Sequence, residues 1–138
     1  FRTGSRSQTP RRGEVKMALS LTGVVADAGG TFATQTTATS TPDTLKSGSG
    51  TLFKVEINNT TNSSPVFVKL YNNGGGAPTV GTTDPAFVFK CPASVSRVYS
   101  CPKGTAFANA LYAACVTTGG TAGTGNPTNA TIYRILFT

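Results

Sequence analysis

Residue types that carry chemistry are scarce in this chain. It has 138 residues, no histidine, and five carboxylates: Glu14, Asp27, Asp43, Glu56 and Asp84. Without imidazole the commonest general base and the commonest metal ligand are both missing. His-activated and metal-assisted reactions are therefore not expected, and no cofactor is implied. A glycosidase needs two carboxyl groups flanking one bond, but these five are scattered over a basic start, turns and one strand-like run. The three cysteines, Cys91, Cys101 and Cys115, stand ten and fourteen residues apart. That odd count and spacing fit neither a disulfide framework nor a zinc ribbon, so free buried thiols are expected. A Cys91–Cys101 pair stays open, since both precede proline, although an extended segment of that length would hold them beyond disulfide reach. The glycines of NNGGGAPTVG are followed by proline and threonine, where a phosphate-binding loop needs Gly-Lys-Ser/Thr opening a helix. Asn58, Asn59, Asn62 and Asn129 match the N-x-Ser/Thr acceptor pattern, as chance alone provides in a chain rich in Asn and Thr.

The elements that must position these groups read as strands. Charged residues are only 12% and hydrophobic residues 38%, and Thr, Ser, Gly and Asn fill the gap, which favours strands and turns over helices. One domain is expected, an arm over residues 1–16 followed by a body over 17–138. Short strands are predicted at 18–25 and 31–39, then at 51–58, where Leu52, Lys54 and Glu56 alternate with Phe53, Val55 and Ile57, and at 66–72, 86–90, 94–100, 106–118 and 130–138. Residues 40–50 and 119–129 carry the signals of loops. In 106–118, Phe107, Ala110, Leu111, Ala114 and Cys115 also match a helical face, but the run ends in Val116, Thr117 and Thr118 and lacks an N-terminal cap, so a strand is preferred. About eight strands at this spacing predict an all-β fold, an antiparallel β-sandwich of the jelly-roll kind.

The net charge of +7 is uneven. Arg2, Arg6, Arg11, Arg12 and Lys16 against Glu14 place +4 in the first sixteen residues, leaving +3 for the rest. This segment reads as an extended basic arm that a partner surface would tie down. It can equally be read as a tail or as sequence upstream of Met17, the one methionine. Nucleic acid is not the expected partner, because the body shows no recognition helix, aromatic-basic RNA-binding pattern or zinc module. No stretch approaches a membrane span, and no apolar run follows the basic start as in a signal peptide.

One long run, VFVKLYNNGGGAPTVGTTDPAFVFKCPASVSRVYSCPKGTAFANALYAACVTTGG, resembles small structural proteins of tailed bacteriophages. The similarity rests on Lys69-Leu70-Tyr71-Asn72, on Ala77 to Thr82 (APTVGT) with Pro85, on Pro92-Ala93, and later on Gly104, Phe107, Leu111 and Thr117 to Gly119. The chain departs from the family pattern at Ala110, where a glycine precedes the leucine. The resemblance implies a capsid decoration or cement protein on the virion, assembled in the host cytoplasm. It would bind the outer surface of the major capsid protein shell as a homotrimer and stabilise the head, without enzymatic activity. Capsid contacts are expected from Arg2, Arg6, Arg11, Arg12 and Lys16, and from an excursion that includes Asn72, Asn73, Pro78, Thr79, Thr82 and Thr83. The alternative is a receptor- or carbohydrate-binding module of a phage fibre or head projection.

Overall fold

A computed structural model describes residues 29–138, and within them the chain forms eight strands and no helix. The basic arm and the strand expected at 18–25 lie outside the described residues. The strands are β1 (Thr31–Gln35), β2 (Asp43–Lys46), β3 (Gly50–Asn58), β4 (Val66–Asn72), β5 (Phe87–Cys91), β6 (Ser96–Phe107), β7 (Leu111–Val116) and β8 (Ile132–Phe137). They make two four-stranded antiparallel sheets, ordered β1-β8-β3-β6 and β2-β7-β4-β5. First pairs with eighth, second with seventh, third with sixth and fourth with fifth. That is a long hairpin rolled so that its two halves close into a jelly-roll β-sandwich.

Alternation explains the core. Val55 and Ile57 of β3, with Tyr133, Ile135 and Phe137 of β8, face Val66, Val68 and Leu70 of β4 and Leu111, Ala113 and Cys115 of β7. Each large aliphatic chain so buried contributes about 1.5–3 kcal/mol. On the β5–β6 side the gap between the sheets is filled by Phe89, whose ring lies 5.1 Å from that of Tyr99. All three cysteines are free thiols, with Cys91 and Cys115 buried.

Four details differ from the sequence reading. Residues 43–46, expected in a loop, form β2 by pairing with Leu111, Tyr112 and Ala113 of β7. Asp43 is fixed there by the Tyr133 hydroxyl, which donates to Oδ2 at 2.6 Å, and by Gln35 Nε2 at 3.0 Å. The segment 106–118 is not one strand: β6 ends at Phe107, and the chain crosses through residues 108–110 to the other sheet. The first strand stops at Gln35, short of residue 39. A register shift between Leu52 and Lys54 turns Leu52 into the core, whereas strict alternation would put it on the polar face with Lys54 and Glu56.

One end of the sandwich is pinned by asparagines. Asn59 and Asn62 are buried. Asn62 Nδ2 donates to Asn59 Oδ1, to the Asn129 carbonyl and to Thr131 Oγ1, while its Oδ1 accepts from the Asn129 amide at 2.7 Å. Asn59 Nδ2 reaches the carbonyls of Ser64 and Pro92 at 2.9 and 3.0 Å. Three loops are thereby joined through a polar network whose groups are matched, the condition for burying them without loss. Ser94, at φ 58°, is held in this network by its amide, which donates to the Asn62 carbonyl.

Candidate interaction surfaces

The outward faces of the two sheets are built differently. On the β2-β7-β4-β5 sheet the alternation that sends Val66, Val68 and Leu70 inward sends Phe67, Lys69 and Tyr71 outward. Yet Lys69 and Tyr71 are fully buried, because two loops roof this face. Residues 117–131 pass over Lys69, whose Nζ donates to the carbonyls of Thr121 at 3.2 Å and Gly123 at 2.7 Å. Burial lowers the Lys69 pKa. Residues 73–86 bring Val80 onto a second apolar cluster of Tyr71, Ala110, Tyr112 and Ala114. The roof loops are joined to each other, since Thr121 Oγ1 donates to Asp84 Oδ1 at 2.6 Å. Gly81, at φ 96°, lies so close that a β-carbon there would stand 2.5 Å from Thr124 Cγ2. Among the described residues the Tyr71 hydroxyl is the one buried side-chain polar atom with no partner, and burial raises its pKa.

The expected contact residues of this stretch fall into two groups. Asn72, Thr79 and Thr82 are exposed, Asn73 and Thr83 half-buried, and Pro78 buried. Several of them shape the excursion itself. Asn72 Oδ1 accepts from the Asn109 amide at 2.8 Å, Asn73 Nδ2 donates to the Gly76 carbonyl at 2.9 Å, and the Thr79 amide donates to Thr83 Oγ1 at 3.0 Å. Arg2, Arg6, Arg11, Arg12 and Lys16 lie outside the described residues.

The outer face of the β1-β8-β3-β6 sheet carries no such roof of described residues. Register places Thr34, Arg134, Glu56 and Val98 in one row across it, and Phe32, Leu136, Lys54 and Ser100 in the next. Lys54 Nζ pairs with Glu56 Oε1 at 2.5 Å, while Arg134 Nη1 stands 3.7 Å from Glu56 Oε2. The Arg134 guanidinium lies over the Phe32 ring, 5.1 Å from its centroid. Beside this row an open groove of about 430 Å³ is lined by Asn58, Ser96, Arg97, Val98, Ile132 and Arg134, among others. Val98 is 58% exposed, the most exposed large apolar side chain among the described residues. The sequence reading missed this groove. Its one signal is that Val98 stands alone on a strand face otherwise made of Ser94, Ser96 and Ser100.

The three described carboxylates are not brought together. Asp43 binds Tyr133 and Gln35, Glu56 pairs with Lys54, and Asp84 is held by Thr121. Among the described residues no group of three or more His, Cys, Asp or Glu side chains could hold a metal ion, and no helix is long and apolar enough to cross a membrane. Asn59 and Asn62, two of the four glycosylation-pattern asparagines, are buried with their amides engaged, while Asn58 and Asn129 are exposed.

The described residues form an eight-stranded jelly-roll β-sandwich in which two loops roof the outer face of one sheet and no described loop roofs that of the other. No family model matches the chain, and no curated protein or solved structure matches it.

Proposed function

We propose that this protein is a bacteriophage capsid decoration, or cement, protein that binds the outer surface of the major capsid shell as a homotrimer and stabilises the head. One observation carries the reading. The stretch resembling phage structural proteins, Lys69 to Pro85, is a built feature in which Lys69, Tyr71, Val80 and Gly81 each hold the roof in place. The pattern thus encodes a shaped surface on a rigid sandwich. The jelly roll supports it only by analogy, since viral capsid and lectin domains both use the fold. A cement protein gains strength by touching several shell subunits at once, so that modest contacts combine, and the basic arm would add contacts beyond the sandwich.

The test is co-sedimentation of the purified protein with expanded capsids that lack it, comparing the full chain with one beginning at Met17. Saturable binding at a fixed ratio to shell subunits, weakened by removal of the arm, is the expected result. Absence of binding by either form would overturn the reading. A carbohydrate-binding module would present an exposed aromatic ring beside polar loop side chains, and every Phe and Tyr among the described residues is buried or half-buried. A glycan screen of the isolated domain is therefore expected to be blank.

A further inference from the structure

We infer that Asn73, followed by Gly74, is a self-modification site, where the side-chain amide converts through a succinimide to aspartate and isoaspartate, in water and without an enzyme. The conversion is covalent chemistry within one loop and is independent of the decoration reading.

Asn73 alone among the asparagines of the chain is followed by glycine. Succinimide closure needs the backbone nitrogen of the next residue to reach the asparagine Cγ. A β-carbon on that next residue crowds the approach, and glycine has none. The loop leaves the reaction open in three ways. Gly74 and the two glycines after it are exposed, in the bend that follows β4. No hydrogen bond among the described residues engages the Gly74 amide. The Asn73 carboxamide is turned toward the residues that follow it, since its Nδ2 donates to the Gly76 carbonyl at 2.9 Å. The other asparagines are set differently. Asn59 and Asn62 are buried with their amides engaged. Asn126 precedes Pro127, which has no backbone N–H to give up. Asn109, exposed but followed by Ala110, is the matched comparison.

Water is the one co-reactant. The Gly74 amide gives its proton to solvent and its nitrogen bonds to Asn73 Cγ; the Cγ–Nδ2 bond breaks, and Nδ2 takes up a proton and leaves as ammonia. Water then opens the ring at Cγ, giving aspartate, or at the Asn73 backbone carbonyl, giving isoaspartate, in which the main chain runs through the former side chain. Either product lowers the net charge of +7 by one. Either also lacks the Nδ2 donor that holds the Gly76 carbonyl.

The experiment ages the full-length protein at mildly alkaline pH, separates the converted fraction by cation exchange and follows each asparagine by peptide mass spectrometry. Trypsin releases Leu70 to Lys90 as one peptide, within which fragmentation distinguishes Asn73 from Asn72. Asn73 is expected to convert at least about tenfold faster than Asn109. Gly74→Ala tests the route. Gly74 is not among the positive-φ residues, and a β-carbon there would meet only the Asn109 side chain, nearest at Oδ1 3.0 Å away, so the variant is expected to fold, as thermal unfolding verifies. Conversion at Asn73 is expected to slow at least about tenfold in it. Conversion at Asn73 no faster than at Asn109, or unchanged by Gly74→Ala, overturns the proposal.

Discussion

Cys115 offers a quantitative test of the sandwich through alkaline pH. Its side chain points from β7 into the core and is fully buried. Burial pushes the thiol from 9.0 up to about 12, with the neighbouring Cys91 adding to the rise and a hydrogen bond with Thr131 opposing it. The folded thiol stays protonated where the unfolded thiol ionises, so the unfolded chain binds fewer protons and stability falls as pH rises. The contribution is intact below 9.0 and is lost progressively up to about 12, a total of about 4 kcal/mol at 1.36 kcal/mol per pH unit. Between roughly pH 8 and 10 the expected loss is about 1.4 kcal/mol. Burial raises Cys91 and Tyr133 as well, which act in the same direction, whereas the lowered Lys69 acts oppositely between its folded value and 10.5. Comparison with Cys115→Ala isolates the one thiol. Near neutral pH the variant is expected to be less stable by about 1 kcal/mol, from loss of a small buried group. The difference should shift by about 1.4 kcal/mol across the alkaline range in urea denaturation curves, closing and then slightly reversing in favour of the variant. A gap that stays constant with pH would refute the closed environment assigned to Cys115.

Two substitutions probe the loops. Asn62→Ala removes four side-chain hydrogen bonds from a buried position and strands the Asn129 amide, so urea denaturation at neutral pH is expected to show a loss of about 3–5 kcal/mol; a loss under 1 kcal/mol would contradict the network. Gly123→Ala would drive a β-carbon into the Thr118 carbonyl and pull the Gly123 carbonyl from Lys69, costing about 2 kcal/mol and exposing residues 117–125 to limited proteolysis while the strands resist; unchanged cleavage would show that the roof does not depend on this close approach.

Legibility in the sequence followed the range of the forces involved. Strands β3, β4, β5 and β8 were readable because their side-chain alternation is local and one face is buried. The four-residue β2 was not, because only Tyr112 and its neighbours on β7, some seventy residues away, make DTLK a strand. Leu52 was assigned to the wrong face for a similar reason, since a bulge opposite the Gly104 region of β6 is a property of the pair of strands. Lys69 illustrates the limit for sites. Nothing in its own strand marks it for burial, and only the return of residues 121–123 over it supplies the carbonyls that allow that burial. The motif from Lys69 to Pro85 was visible as a turn-rich excursion, whereas its packing as a roof depends on the distant loop at 117–131. The groove at Arg97 and Arg134 joins strands β3, β6 and β8, so no contiguous stretch announces it.

The nesting of the strand pairs also sets an order of events on the ribosome. The innermost pair, β4 with β5, is separated by one loop, while the outermost, β1 with β8, joins Thr31 to Phe137. Contacts so distant in sequence close late, after nearer pairs have shortened the chain between them. β8 is the last strand synthesised, yet it lies between β1 and β3. One sheet therefore stays open down its middle until β8 has been made, with β1 and β3 both waiting for the same partner and holding unpaired strand edges in the meantime.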